Sequence, residues 1–282
     1  MTSLKSLLSR HAVLSFFALA YLITWGLGAL LRGEPTGLLS NGGMFVAGPL
    51  VAALLMIALT DGRAGFRDLG SRLIRWRVGA RWYAVVLGLP IVIVAAAMAL
   101  NVTVLGGSPL DWTKAPAPQM LVVYLAIFIF IPLAAPLAEE IGWRGFALPR
   151  LLAGRSALTA SLILGVVWAL WHLPGVLSDP GLRPPAPFFL GVVSLSVIVT
   201  WIFLQTKGSV LVAVLFHAWY DWVLLFPVAM LAPVDIERMF WGLVAVQIAI
   251  AVAVVLRGGL RQPADQQPEL LEGRAAPVPA AV

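Results

Sequence analysis

Apolar stretches long enough for membrane helices, divided by short polar or basic connections, set the pattern of this chain. Eight runs stand out, at Ala12–Leu31, Met44–Leu59, Trp82–Val104, Gln119–Leu137, Leu158–Leu177, Pro187–Gln205, Val210–Met230 and Phe240–Leu256. A helix of about 20 residues crosses the hydrocarbon core of a bilayer. The pattern therefore predicts an all-α, polytopic transmembrane bundle of about eight spans. The first run follows Lys5 and Arg10 as a signal peptide would, but it is too long and no small-residue cleavage site follows it. It reads as a retained signal anchor. Residues 1–261 form one transmembrane unit, and the Pro-, Ala- and Gln-rich residues 262–282 read as a disordered cytoplasmic tail.

The basic residues orient this arrangement. With both termini cytoplasmic, fifteen Lys and Arg fall on inside segments, and only Arg32, Lys114, Arg183 and Arg238 fall outside. That bias follows the positive-inside rule. Between the second and third runs, Arg63–Trp82 alternates basic and apolar residues. It predicts an interfacial amphipathic segment whose arginines meet anionic headgroups and whose Trp76 and Trp82 join the aromatic belt.

Composition narrows the class further. The chain has 282 residues, of which 61% are hydrophobic and 11% charged, and its mean hydropathy is +0.95. Soluble domains carry about 25% charged residues, so these apolar side chains must face lipid. The net charge of +6 would suggest nucleic acid in a soluble protein. Here the arginines sit between apolar runs, and the expected partner is the bilayer rather than nucleic acid. The chain has no cysteine, which removes disulfides and thiolate metal sites. A dinucleotide fingerprint, a P-loop and internal repeats are also absent from the sequence.

Ionisable groups inside spans are costly, so each is a candidate for function. Glu139 and Glu140 close the fourth run and point about 100° apart on a helix, so they face different neighbours. Arg144 lies one turn beyond Glu140, at a spacing suited to pairing with it, which leaves Glu139 available as a general base. The alternative is a charged helix end at the cytoplasmic interface. His172 lies among Trp168, Trp171 and Leu173, just before Pro174; taken singly, it reads as a packing residue. His217 and Asp221 share one helix face at i,i+4 and suit a metal, a bound water, an oxyanion or an interhelical hydrogen bond. Short connections make the fourth and fifth runs antiparallel, so Glu139 and His172 can meet. One tension remains. From helix starts near Ser156 and Gly208, His172 and His217 would lie at depths of about 24 and 14 Å. His11, at the basic start of the first run, is a bystander.

Taken together, Glu139-Glu140…Arg144, Trp168…His172 and His217…Asp221 resemble the CPBP intramembrane proteases. That family includes the type II CAAX prenyl endopeptidases and bacteriocin-processing or immunity proteins. Its pattern is EExxxR, an aromatic residue four before a histidine, and HxxxN or HxxxD on successive membrane helices. Trp168 stands where Phe is usual. The resemblance covers about residues 75–225, including RWRVGARWYAVVLGLP ahead of the third run.

The resemblance implies that Glu139 activates the attacking water and that His172 assists it. His217 and Asp221 would bind the oxyanion, and Glu140 and Arg144 would support the site. Asp221 in place of Asn then has to be protonated, paired with His217 or bound to a metal. A divalent metal such as zinc would take His172, His217 and Asp221. The metal-free version is preferred, because a glutamate-activated water already supplies the nucleophile. The expected activity is hydrolysis of a peptide bond in a membrane-associated protein or peptide, in the inner membrane of a bacterium. The alternatives are a proton-coupled transporter and a non-catalytic immunity or scaffold protein.

Overall fold

The computed structural model describes residues 2–30, 40–41, 44–115, 117 and 135–261. The fold is an all-α membrane bundle. Its helices are α1 (Thr2–Arg10), α2 (Ala12–Leu30), α3 (Gly48–Thr60), α4 (Gly62–Leu73) and α5 (Ala80–Thr103), then α6 (135–152), which contains a π-helical segment at Ile141–Ala147. They continue as α7 (Ala157–Trp171), α8 (Leu173–Ser178), α9 (Pro185–Gln205), α10 (Val210–Met230) and α11 (Pro233–Leu256). A two-residue antiparallel ladder joins Ser40–Asn41 to Met44–Phe45.

Five described helices, α2, α5, α9, α10 and α11, are long and apolar enough to cross a membrane. Most of the expected fourth run, and the tail 262–282, lie outside the described residues. The expected second and fifth runs are shorter than a span. At 13 and 15 residues, α3 and α7 extend only about 20 and 22 Å at 1.5 Å per residue. The fifth run was expected to continue to Leu177, but α7 stops at Trp171 and α8 restarts with Pro174 in its first turn. Proline has no N–H to donate and clashes with the preceding turn, so it starts a helix more readily than it continues one. The last helix starts seven residues before the expected Phe240, at Pro233. Asp235 and Arg238 concealed this start. Both are accommodated because Arg238 Nη1 and the Ser108 N–H donate to Asp235 Oδ1, at 2.9 and 3.2 Å.

The interior is apolar and closely packed. α7 packs along α9, α9 along α11, and α11 along α5, while α3 lies against α2 and the π-helical segment. Gly242 lets α11 approach the α5 backbone, since a Cβ there would sit 2.8 Å from the Ala97 carbonyl oxygen. Membrane helices lack a hydrophobic drive toward one another, and small residues compensate through close backbone contact.

The amphipathic segment folds as α4 and the turn after it, but two of its expected roles change. Arg72 is buried at 7% exposure and donates to the Asp68 carboxylate and the Gly145 carbonyl rather than to headgroups. Trp82 is also buried, edge-on to Trp201 with ring centroids 5.2 Å apart, whereas Trp76 is exposed. Each has a partner inside the bundle that a one-dimensional pattern cannot show.

Candidate active site

α6 supplies the first pair of groups. Residues 135–140 are α-helical, and the chain then widens into the π segment, where the Leu148 N–H reaches back to the Trp143 carbonyl. Such wide turns occur often at functional sites. Here the segment carries Arg144 against the carboxylate one turn before it. Arg144 Nη1 donates to Glu140 Oε1 at 2.8 Å, and both side chains are wholly buried. Glu139 points elsewhere. Its Oε2 accepts the Trp168 indole N–H at 2.6 Å and lies 4.0 Å from His172 Nε2.

His172 occupies the break between α7 and α8, as the C-cap of one and the N-cap of the other. Its Nδ1 lies 2.9 Å from the Trp168 carbonyl. A carbonyl only accepts, so Nδ1 carries the hydrogen, and Nε2 of the neutral ring turns a lone pair toward Glu139. His217, one turn before Asp221 on α10, is held from both sides. Nδ1 lies 2.9 Å from Glu140 Oε1, and Nε2 lies 3.4 Å from Asp221 Oδ2. Glu140 Oε1 therefore takes Arg144 from its own helix and ties α6 to α10 through His217. Of the three states open to Asp221, the geometry provides the His217 pairing, with the carboxylate side chain still 48% exposed.

The two histidines line one cavity although they lie at different distances along their helices, and the start of α10 is anchored to the turn after α4. Ser209 Oγ, at its N-cap, donates to the Arg75 carbonyl at 2.7 Å. Arg72, three residues earlier, donates to the Gly145 carbonyl at 2.9 Å. The start of α10 thus hangs from α4, close to the π segment, and His217 reaches Glu140 after two turns.

Glu139, Trp168, His172, His217 and Asp221 line one cavity of about 340 Å³, together with Arg183, Phe188, Tyr220 and apolar side chains. That size suits a small-molecule or peptide side-chain site. The cavity brings together all four residues expected to be catalytic, and Glu140 and Arg144 stand directly behind them. His11, the bystander, does not line it. Sequence reasoning missed Trp168 as a hydrogen-bond donor and Arg183 as a lining residue. Trp168 was visible only as an aromatic; its indole N–H was the available signal. Among the described residues, no three His, Asp or Glu side chains are arranged to hold a metal ion. His217 instead has a carboxylate at each nitrogen. The donor set as described does not fit the alternative zinc site of His172, His217 and Asp221.

The type II CAAX prenyl endopeptidase Rce1-like family matches residues 121–223, a stretch that contains all three motifs. CAAX prenyl protease 2 of Methanococcus maripaludis is 25% identical over 219 residues, covering 72% of this chain and 79% of the relative. Both comparisons point the same way as the three motifs, and over this stretch the chain is similar to the type II CAAX prenyl endopeptidases.

Proposed function

We propose that the protein cleaves a peptide bond in a membrane-tethered protein or peptide, with Glu139 as general base for a water held between it and His172. The observation that carries this reading is the 4.0 Å separation of Glu139 Oε2 and His172 Nε2 on the cavity wall. It is too long for a direct hydrogen bond and suits one oxygen bridging both groups. A buried carboxylate with its charge unpaired by arginine is suited to taking a proton from that water.

The steps follow from the groups present. Glu139 removes a proton as the water oxygen bonds to the scissile carbonyl carbon. His172, positioned by the Trp168 carbonyl, orients the same water. His217 keeps Nδ1 on Glu140 and, when protonated, shares its Nε2–H between Asp221, 3.4 Å away, and the oxyanion, and Asp221 orients its ring. The C–N bond then breaks, and Glu139 returns the proton to the leaving amine. Glu140 and Arg144 hold the platform and do not touch the reacting atoms.

The substrate class is a peptide attached to the bilayer by a lipid or a membrane helix. The apolar lining of the cavity and the activity named for the archaeal relative support it. The setting is a bacterial inner membrane with both termini cytoplasmic, supported by the fifteen-to-four distribution of basic residues. Reporter fusions should read outside at Pro180 and inside at Gly154; a cytoplasmic reading at Pro180 contradicts this orientation. The activity is tested with purified protein in liposomes, offering palmitoylated and farnesylated peptides beside their unlipidated forms. Mass spectrometry should find a single internal cleavage of a lipidated peptide. Proton-coupled uptake with no cleavage of any peptide would favour a transporter instead.

A further inference from the structure

We infer that Trp168 is the positioning residue that sets the gap between the base and its histidine partner. The inference rests on the reading of Glu139 as general base. Trp168 is 2% exposed and takes part in both halves of the water site. Its side chain donates to Glu139 Oε2 at 2.6 Å, and its main-chain carbonyl accepts from His172 Nδ1 at 2.9 Å. Among the described residues, the indole N–H is the only hydrogen-bond donor to Glu139. A buried carboxylate without such a donor is poorly solvated and free to rotate about its last bond.

The indole ring is itself fixed on two sides. The Arg144 guanidinium carbon lies 4.6 Å from its ring centroid. His217 meets it edge-on, with centroids 5.1 Å apart. The ring is thus wedged between the Glu140–Arg144 pair and the third motif, and its N–H points at Glu139. One residue fixes the orientation of the carboxylate and of the imidazole that faces it across 4.0 Å. A phenyl ring would fill part of the same space and donate nothing. The indole nitrogen, rather than aromatic bulk, therefore carries the function.

The test separates the N–H from the ring. 7-Azatryptophan keeps shape and donor at position 168, whereas β-(3-benzothienyl)alanine keeps shape and loses the donor. Both are incorporated at that position alone, beside Trp168→Phe and Glu139→Gln. A hydrogen bond to a charged group is lost, so kcat for the wild-type peptide substrate should fall about ten- to a hundredfold in the benzothienyl and Phe variants. KM should stay within about twofold, because the indole N–H is taken up by Glu139 and the analogue keeps the ring surface that lines the cavity. The azatryptophan variant should retain kcat.

A second readout needs no substrate. The Trp168 indole proton resonance of ¹⁵N-Trp protein should move upfield in Glu139→Gln. Equal kcat in the two analogue variants, or a rise in KM with kcat unchanged, overturns the inference. So does an indole resonance that ignores Glu139→Gln. If Glu139→Gln itself cleaves at the wild-type rate, the base assignment fails instead, whatever Trp168 does.

Discussion

Replacing Arg144 with methionine keeps a long apolar stem in place and removes one charge from the most deeply buried ion pair among the described residues. Arg144 and Glu140 are both wholly buried and joined at 2.8 Å. Glu140 would keep only His217, at 2.9 Å on the same oxygen. Removing one partner of a buried pair costs about 3–5 kcal/mol, because the remaining charge is left in a medium that does not solvate it. For a chain of this size about 2 °C of Tm corresponds to each kcal/mol, so Tm should fall by about 6–10 °C. The pair is not perfectly satisfied. Arg144 Nε and Nη2 and Glu140 Oε2 have no hydrogen-bond partner among the described residues. Neutralising both sides in Glu140→Gln/Arg144→Met should therefore recover more than half of the loss. Tryptophan fluorescence during thermal unfolding in detergent reads both quantities. A fall of less than about 2 °C in Arg144→Met, or a double variant less stable than either single one, would refute this account of the pair.

Gly142→Ala places a Cβ 2.6 Å from Pro49 Cβ and 2.9 Å from the Pro49 carbonyl oxygen. Backbone atoms cannot rotate away, so α3 must shift from the π segment at a cost of about 1–3 kcal/mol. Gly154→Ala meets nothing within 4 Å and should leave Tm unchanged in the same assay. Asp221→Asn should retain or improve cleavage, because the amide still serves His217 and adds a donor toward the oxyanion. Chelators should have little effect on the wild type. Loss of activity in Asp221→Asn, with stoichiometric zinc in the purified wild type by elemental analysis, would instead identify Asp221 as a ligand.

The site was legible in the sequence because its residues are expensive. In runs such as LVAVLFHAWYDWVLLF, an imidazole and a carboxyl one turn apart stand out, whether as site groups or as an interhelical hydrogen bond. The Glu140–Arg144 pairing was legible from its i,i+4 spacing, and it holds although Arg144 lies in the π segment. Helix ends were less legible. Pro174 breaks the fifth run inside an apolar stretch, and Asp235 and Arg238 begin the last helix where charge suggested a loop. The start of α10 and the π segment are both tied to the α4 region, by hydrogen bonds from Ser209 and Arg72 that join residues more than 70 apart in sequence. Arg72 and Trp82 had the composition of an interfacial segment, yet their partners lie inside the bundle. The role of Trp168 was out of reach for the same reason. Hydropathy scores its ring, while its contribution here is a single N–H aimed at Glu139.

The central claim is that Glu139, and not its neighbour Glu140, takes the proton from the attacking water. The two carboxylates are adjacent in sequence and differ in surroundings. Among the described residues, one accepts a single indole N–H beside the cavity, and the other is locked to Arg144 and His217. Single-turnover cleavage by Glu139→Gln and Glu140→Gln, each compared with wild type at equal membrane insertion, tests this directly. Glu139→Gln keeps the size and the hydrogen-bonding shape and loses the base, so its rate should fall about 10²- to 10⁴-fold with Tm nearly unchanged. Glu140→Gln should lower Tm and retain most of the chemical rate of the folded fraction. Wild-type cleavage by Glu139→Gln, or abolished chemistry in a stably folded Glu140→Gln, would contradict the account.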